Sequence, residues 1–361
     1  MENIKISVII PVHNGEKLIK KTVEEILKQT LKEIEIILVE NFSQDRSNII
    51  CKVLASKYFN VIAVNSYERG TSFARKKGVE KASGEYIIFS DQDDEYKHYD
   101  SLKEIYFSIR NSNAEIGQFG FYKRYNLGIE KKTLNTSRCV IDKDELYNNE
   151  IKGVFGNSKS LINTTVWNKV YHSKLIKSAV KNMNEGLFFA EDEYLNINAF
   201  FDKNLRKVAI FPDCHYVWRV GVGFSSTDSG IALLKDYNIV KPLGIAMIGK
   251  FHCNQNILYD YNIETIYLLK MFVENKIKSN DNRDEVVNKI ARLLKYECVK
   301  LANSYISNYH GTKVIWDELK YLTSDITAEE YYNYCKKNIN GVNCSLKDKI
   351  KKILKKVLIG N

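Results

Sequence analysis

With 361 residues, 44% of them apolar and only three of them proline, the chain is long enough for one large globular domain plus an extension. This composition argues against long disordered linkers. The 54 basic and 44 acidic residues give a net charge of +10, which suits nucleic acid, a phosphorylated substrate or an anionic membrane surface. The sequence has no zinc-finger spacing and no RNA-binding aromatic signature, so nucleic acid is not expected as a partner.

The seven cysteines are scattered and form no Cys-x-x-Cys pair. The N-terminus enters a strand pattern at once, without the features of a signal peptide. Both observations predict reduced thiols and a cytoplasmic protein. No stretch of about 18 apolar residues occurs, so we expect no segment that spans a membrane.

Strand-like and helix-like patterns alternate from the N-terminus to Phe89. The predicted strands are Lys5–Pro11, Ile34–Val39, Asn60–Val64 and Tyr86–Phe89, and the predicted helices between them are Leu18–Thr30, Ile49–Tyr58 and Thr71–Ala82. Asn14 is predicted to cap the first of these helices. The alternation predicts an α/β fold with a mostly parallel, Rossmann-like sheet flanked by helices. The chain lacks Gly-x-Gly-x-x-Gly after its first strand and lacks a Gly-Lys-Ser/Thr loop, which disfavours a dinucleotide dehydrogenase and a phosphate-loop NTPase.

The pattern beyond this region is more varied. In order, it predicts a helix at 101–111, a strand at 115–122, a polar turn-rich segment at 126–149, a helix from Ser173, a helix opened by Glu191, strands at 207–211 and 214–219, a loop rich in glycine and serine to Ser226, and mostly helix from 230 to 338. The segment 345–359 places apolar residues on one helical stripe among six lysines, which is typical of a helix lying on an anionic membrane. A terminal helix packed on its own domain remains the alternative.

The strand Tyr86–Phe89 ends in a run of carboxylates that includes Asp91, Asp93 and Asp94. Ligands of open α/β sheets bind outside the carboxyl ends of the strands. Carboxylates this close repel each other unless a cation or hydrogen bonds offset their charge, and such oxygen ligands suit Mg²⁺ or Mn²⁺. The alternative is a solvated acidic turn.

Six motifs, in order, are similar to those of family 2 glycosyltransferases with the GT-A fold, the bacterial surface-polysaccharide type. They are Ser7–Asn14 for Ser-Val-Ile-Ile-Pro-x-Tyr-Asn, Val39–Asp45 for Val-Asp-Asp-Gly-Ser-x-Asp, Gly70–Lys76 with Gly84–Phe89, Asp91–Asp94 for Asp-x-Asp-Asp, Trp167–Tyr171 with Glu191–Asp192, and Tyr216–Arg219. The chain departs from the family at His13, Glu40, Asn41 and Phe42. The resemblance implies a glycosyltransferase domain at 1–228, with a nucleotide-sugar half at 1–125 and an acceptor half at 126–228, followed by a helical region at 229–361.

The resemblance also implies the residues that bind the donor. These are Pro11, His13, Asn14, Glu40, Asn41, Arg75, Asp91, Arg219 and Ser225. Glu40 stands where the family uses aspartate to accept from uracil, with a capping role as the alternative. Arg219 and Ser225 are candidates for gripping the diphosphate, because a guanidinium pairs well with phosphate oxygens.

A divalent ion, Mn²⁺ or Mg²⁺, is expected to bind through Asp93 and Asp91 and to offset charge on the leaving oxygen. His215 is a candidate third ligand, with a core histidine as the alternative. Trp218 and Tyr171 are candidates for stacking on a sugar face, with core packing as the alternative.

Asp192 is the expected general base, which takes the proton from the acceptor hydroxyl as that oxygen attacks the anomeric carbon with inversion. Glu191 or Glu193 is expected to hold Asp192 in place or to be the base itself. An acidic cluster that only complements the helix dipole is the alternative.

The sequence therefore predicts a cytoplasmic, metal-dependent, inverting glycosyltransferase that uses a nucleotide-diphosphate sugar, with UDP favoured. Its expected acceptor is a growing surface glycan or a lipid-linked glycan, with the segment 345–359 on the inner face of the cell membrane, and homo-oligomerisation is left open. The alternatives are a catalytically inactive scaffold of a glycan-assembly complex and a nucleotidyltransferase. The second of these would normally carry a glycine-rich basic loop where Val12–Gly15 stands.

Overall fold

The computed structural model describes residues 3–125, 128, 130–133, 137–156, 160–220, 230–254, 256–279, 281–296, 298–302 and 327–339. The chain forms two compact units, and each is described by itself. The first comprises Met1–Val154 and Lys159–Thr227, and the second comprises Phe155–Ser158 and Asp228–Asn361.

The first unit is built on one mixed sheet. Its strands in the described part are β1 Ile6–Val12, β2 Ile34–Glu40, β3 Val61–Asn65, β4 Tyr86–Phe89, β5 Glu95–Tyr96, β6 Ile116–Arg124, β7 Glu130–Thr133, β8 Cys139–Asp142, β9 Lys169–His172 and β10 Lys207–Arg219. Their order is β3-β2-β1-β4-β9-β6-β10-β5, with β7 beside β6 and β8 beside β10. Strands β3, β2, β1 and β4 run parallel, as do β6 and β10. The predicted α/β architecture is confirmed.

Helices cover both faces of this sheet. Those of the first unit are α1 Ile19–Leu27, α2 Ser47–Lys57, α3 Thr71–Lys81, α4 Ser101–Ser112, α5 Lys143–Glu145, α6 Ser173–Ala179 and α7 Glu191–Phe200. Apolar side chains of α1, α2 and α4 share one core with Ile6, Val8 and Ile10 of β1. Helix α3 lies against the opposite face, so closely that a Cβ on Gly78 would lie 2.3 Å from Ile9 Cγ2.

Three predicted elements differ from the structure. The two strands predicted at 207–211 and 214–219 are one strand, β10, because Pro212 falls at an irregularity of register where a missing N–H is tolerated. The turn-rich segment 126–149 contains β7, β8 and α5. The prediction that Asn14 caps α1 was wrong: the helix begins at Ile19, and Asn14 instead accepts a hydrogen bond from the Gln44 amide at 2.8 Å.

The second unit is helical in the residues described. Its helices are α8 Gly230–Lys250, α9 Asn256–Lys278, α10 Arg283–Leu293 and α11 Ala328–Ile339. The fully buried Lys241 donates from Nζ to the Tyr261 carbonyl at 2.9 Å. Among the described helices, none combines the length and apolarity needed to cross a bilayer. The predicted helical C-terminal region is confirmed, whereas the amphipathic segment 345–359 lies outside the described residues.

Candidate active site

The carboxyl ends of β1, β2 and β4 meet at one edge of the sheet because these strands are parallel neighbours. Val12 of β1 is paired in register with Glu40 of β2, and Ile9 with Phe89 of β4. The predicted donor residues Pro11, His13, Asn14, Glu40, Asn41 and Asp91 therefore lie together at this edge. This is the place where an open α/β sheet binds its ligand.

Gln92 joins the loop after β4 to the loop after β1. The His13 amide donates to Gln92 Oε1 at 3.0 Å, and Gln92 Nε2 donates to the His13 carbonyl at 2.9 Å. Gly15 leaves room for this contact, because a Cβ there would lie 2.2 Å from Gln92 Oε1. Gln92 was not predicted as a site residue, although its position inside Asp-x-Asp-Asp was a usable signal.

The loop after β2 keeps the backbone path of a glycine turn. Phe42 has φ 58°, the left-handed conformation that glycine adopts most easily, and its side chain is 45% exposed. Glu40 Oε1 accepts from the Ser43 amide at 2.6 Å, and Asn41 Oδ1 accepts from the Gly70 amide at 3.2 Å. Glu40 thus stabilises the turn after β2, but it does not cap a helix, because α2 begins at Ser47 with Arg46 as its N-cap residue.

Arg75 is the centre of a buried ionic cluster. Its side chain is 3% exposed and reaches three carboxylates: Asp192 Oδ1 at 2.7 Å, Glu191 Oε1 at 3.2 Å and Asp91 Oδ1 at 3.6 Å. Burial alone would lower the pKa of Arg75, but the charges of these three carboxylates raise it. Arg75 therefore bridges the end of β4 and the start of α7, a role that the sequence analysis did not predict.

The carboxylates around Arg75 hold their protons unusually tightly. Burial is the main cause, and it raises the pKa of Glu191 to about 8, that of Asp91 to about 7 and that of Asp93 to about 6. Burial and the neighbouring Asp91 and Asp93 raise the pKa of Asp94 well above its ordinary value. The arginines beside these carboxylates do not neutralise all of them, so this edge of the sheet is a favourable place for a cation.

Arg219, predicted to hold the diphosphate, lies beside the same cluster. Its backbone amide donates to Asp94 Oδ1 at 2.9 Å, and its Nη2 lies 2.7 Å from Glu95 Oε2. Arg124 also pairs with Glu95. Arg219 is thus close to the aspartates, and its guanidinium pairs with Glu95.

Asp192, the expected base, is held at both oxygens. Oδ1 faces Arg75, and Oδ2 accepts from the Val166 amide at 3.1 Å. The loop that presents Val166 is organised by Lys169, whose fully buried Nζ donates to Asn163 O and Oδ1, both at 2.8 Å, and to the Thr165 carbonyl. Burial lowers the pKa of Lys169 to about 7, opposed by Asp192. Lys169 lies within the motif Trp167–Tyr171, but this role was not predicted for it.

Aromatic residues build the wall behind the aspartates. Trp167 stacks on Tyr216 with centroids 5.0 Å apart, and the Tyr216 hydroxyl accepts from the Asp91 amide at 2.9 Å. Tyr171 is fully buried and donates to Asn196 Oδ1 at 2.9 Å, so it is a core residue that no sugar face can reach. Trp218 is only partly buried and remains compatible with a sugar contact.

The structure does not bring His215 to the aspartates, and its assignment as a metal ligand is corrected. Tyr216 points its hydroxyl at Asp91, whereas the adjacent His215 lies 3.5 Å from Glu104 of α4 and packs edge-on against Phe119. Burial lowers the pKa of His215 to about 4, as expected for a core histidine. Ser225, predicted to contact the diphosphate, lies outside the described residues.

The described residues contain no group of three His, Cys, Asp or Glu side chains that could by itself hold a metal ion. Asp94 Oδ2 is a buried oxygen that lacks a hydrogen-bond partner within the part of the chain described, so it is chemically suited to contact a metal ion. Mg²⁺ and Mn²⁺ commonly use one or two protein carboxylates and complete their shell with substrate phosphates and water. Asp91 and Asp93 suit such an incomplete site.

Comparisons with known proteins agree with this geometry. Residues 7–175 match the model of glycosyl transferase family 2. The uncharacterized glycosyltransferase EpsJ of Bacillus subtilis is 27% identical over 305 residues, which cover 82% of this chain and 85% of EpsJ. The poly(ribitol-phosphate) beta-glucosyltransferase of Bacillus spizizenii is 27% identical over 222 residues, which cover 60% of this chain and 32% of that protein.

Among solved structures, residues 1–349 of TarS from S. aureus in complex with UDP-GlcNAc superpose with a TM-score of 0.62. The sequence identity is 18%, and the match covers 94% of this chain and 93% of that one. This likeness confirms the predicted GT-A fold. With the motifs at the sheet edge, the match of residues 7–175 to the model of glycosyl transferase family 2 and the glycosyltransferases among its relatives identify the chain as a glycosyltransferase.

Proposed function

We propose that this glycosyltransferase moves a sugar from a nucleotide-diphosphate donor to a hydroxyl group of a growing surface glycan, with inversion at the anomeric carbon and with help from a divalent ion. The observation that carries the proposal is the contact of one buried side chain, Arg75, with both Asp91 and Asp192. Through this contact the expected donor-binding Asp91 and the expected base Asp192 lie beside the same guanidinium.

On the donor side, Asp93 and Asp91 would hold Mn²⁺ or Mg²⁺, which when bound offsets the negative charge of the diphosphate. Their raised pKa values support this assignment, because a cation replaces the protons that these buried carboxylates otherwise retain. Glu40, Asn41 and His13 would line the base and ribose end. Arg219 would exchange part of its contact with Glu95 for the diphosphate.

On the acceptor side, Asp192 would be the base. The neighbouring Glu191, whose burial raises its pKa to about 8, is mostly protonated at neutral pH and is then unable to accept a proton. Asp192 would take the hydroxyl proton while the acceptor oxygen bonds to the anomeric carbon. The bond from that carbon to the diphosphate oxygen breaks on the opposite face, the nucleoside diphosphate leaves, and the configuration inverts.

The donor and acceptor classes are supported by relatives. The TarS structure contains UDP-GlcNAc, and the B. spizizenii relative is named for transfer of glucose to poly(ribitol-phosphate) in a beta linkage. We therefore propose a UDP-sugar as donor and a hydroxyl-rich surface polymer as acceptor.

A thermal-shift panel of nucleoside diphosphates with and without Mn²⁺ tests the donor assignment. The preferred nucleotide stabilises the protein by about 2.7 kcal/mol at a hundredfold excess over its dissociation constant. Asp93→Asn should lose the Mn²⁺-dependent part of the shift, whereas Asp213→Asn, at an exposed position of β10, should keep it.

Turnover is tested by release of UDP from UDP-sugars with Mn²⁺, and the anomeric configuration of the product tests inversion. Asp192→Asn should abolish turnover and retain nucleotide binding. Nucleotide binding without any turnover, for every sugar and acceptor tried, would instead favour the scaffold alternative.

A further inference from the structure

The outer face of α2 carries apolar side chains that the core does not use. Ile49 is 62% exposed and Val53 56% exposed, and these two residues are one helical turn apart on the same face. Phe59, two residues after the helix ends, is 100% exposed. The opposite face of α2 packs on the sheet through Ser47, Cys51 and Leu54. The exposed residues are therefore not required for folding of the helix onto the sheet.

Basic residues surround these apolar side chains. Arg46, Lys52 and Lys57 are exposed, and the sequence from Arg46 to Phe59 contains no acidic residue. We call Ile49, Val53 and Phe59 with Arg46, Lys52 and Lys57 the α2 surface. The adjacent helix α1 adds exposed lysines at its start, Lys17, Lys20 and Lys21.

Two acidic groups of the first unit lie near the basic residues of the α2 surface, besides Asp45, whose carboxylate accepts from the Ser47 and Glu16 amides. Arg46 Nε lies 3.4 Å from Glu16 Oε2, and Glu24 of α1 is within electrostatic reach of Lys57. Both are only partly exposed, whereas the basic residues extend into solvent. The outward charge of this region is therefore positive.

Two occupants fit exposed apolar side chains on a helix, a second copy of the chain and a lipid surface. A two-fold dimer would place the same patch on both partners, so Lys52, Lys57 and Arg46 would face equal charges. A bilayer with anionic headgroups offers the complementary charge and an apolar boundary at once. Charge complementarity thus favours the membrane.

We propose that the α2 surface docks the protein on an anionic bilayer. Ile49, Val53 and Phe59 enter the boundary between headgroups and acyl chains, and Arg46, Lys52 and Lys57 contact lipid phosphates while their stems cover apolar surface. This contact is separate from the amphipathic segment 345–359.

The position of α2 would bring the membrane contact close to the expected donor site. Ser47, its first residue, accepts a hydrogen bond from the Gly15 amide at 2.8 Å, so the helix starts at the sheet edge that carries the donor residues. Docking through α2 would hold this edge close to the headgroups, within reach of an acceptor that is attached to lipid.

Flotation of the full chain with vesicles tests the proposal. Vesicles of phosphatidylglycerol mixed with phosphatidylcholine should carry the protein upward, and vesicles of phosphatidylcholine alone should not. The double variants Ile49→Asn/Val53→Asn and Lys52→Glu/Lys57→Glu should each lower the partition coefficient by about tenfold or more. Val140→Asn, at an exposed apolar position on β8, is the matched control and should bind as the wild type does.

The variant Ile353→Asn/Val357→Asn, made in the full chain, separates the α2 surface from the terminal segment. Loss of flotation in this variant together with full flotation of both α2 variants would overturn the proposal. Absence of flotation of the wild type, or a dimer in sedimentation that only the α2 variants dissociate, would overturn it as well. UDP release from soluble donor should be equal in all these variants, so a failure of docking is distinguishable from a failure of the proposed activity.

Discussion

Arg75 Nη1 lies 2.7 Å from Asp192 Oδ1, and this contact ties α3 to the first turn of α7. The same guanidinium reaches Glu191 and, with its other nitrogen, Asp91 at the end of β4. Three segments that are distant in the chain are thus held in position by one buried cation. Its removal would affect stability and the geometry of the candidate site together.

Arg75→Ala should destabilise the protein by about 3 kcal/mol or more, because it leaves buried carboxylates without their partner. The free energy of unfolding from urea titration at neutral pH measures this effect, and UDP release should fall below detection. Arg75→Lys keeps the charge but not the two-nitrogen geometry, so it should recover part of the stability and little of the activity.

Arg138→Ala is the control for the loss of a cation. Arg138 pairs with Asp213 at 3.1 Å, but both side chains are about half exposed. Exposed pairs contribute about 0–1 kcal/mol, so this variant should unfold almost like the wild type. Equal effects of Arg75→Ala and Arg138→Ala would contradict the role assigned to the buried cluster.

The metal-free protein should become less stable as the pH rises from about 5 to about 8. Burial raises the pKa of Glu191 from 4.5 to about 8, so the folded state holds this proton more tightly than the unfolded chain does. The stabilisation that comes from this tightly held proton is complete below the pKa that Glu191 has in the unfolded chain. It is lost as the pH rises through the pKa that Glu191 has in the folded protein. Melting temperatures between pH 5 and pH 8, with and without Mn²⁺, measure the slope, which Mn²⁺ should flatten.

Glu191→Gln removes the titration of this side chain. It should be more stable than the wild type at pH 8 and similar to it at pH 5, because the neutral side chain has no proton to lose. Glu185→Gln, at an exposed position before α7, should follow the wild-type curve. A wild-type slope that Glu191→Gln leaves unchanged would show that Glu191 does not titrate in this range.

Lys169→Met should lower both stability and turnover. The substitution leaves the carbonyl oxygens of Asn163 and Thr165 without their buried donor, which should cost at least about 2 kcal/mol. The loop would then present the Val166 amide to Asp192 less well, and kcat should fall about tenfold or more, a part of what a general base contributes.

Lys174→Met changes an exposed lysine on the neighbouring helix and should leave kcat and stability as in the wild type. Nucleotide affinity of Lys169→Met, measured by thermal shift with Mn²⁺, should remain close to that of the wild type. A variant that lost nucleotide binding and turnover equally would point to general unfolding of the site rather than to misplacement of Asp192.

The first half of the fold could be read from the sequence because its signals are local. The runs of buried residues at β1, β2 and β4 and the helices between them follow the predicted boundaries within a few residues. Strands β7 and β8 could not be read, because they are short, contain polar residues such as Lys131 and Lys132, and form only by pairing with β6 and β10.

The candidate site also contains residues that local sequence patterns predict and contacts that they do not. Motif spacing brought Asp91, Asp93 and Asp192 forward as candidates, because each follows or begins a recognisable element. The bridge made by Arg75 depends on how α3 and α7 pack, which no local pattern encodes. His215 was misassigned because it is next to Tyr216 in the sequence, and the Tyr216 hydroxyl contacts Asp91. Adjacent residues of a strand point to opposite faces, so the His215 side chain lies near Glu104 instead.

Phe42→Gly should stabilise the protein by about 1 kcal/mol, because a residue with a Cβ is strained in the left-handed conformation that Phe42 adopts and glycine is not. The ring is 45% exposed, so its removal exposes little core. Phe42→Ala also deletes the ring but keeps the strain, and it should therefore remain close to the wild type in urea titration. Equal stability of the glycine and alanine variants would show that the turn relaxes at no cost. Nucleotide affinity of the same two variants, compared with that of the wild type, then tests for a contact between the ring and the donor, because both variants lose the ring and keep the backbone path.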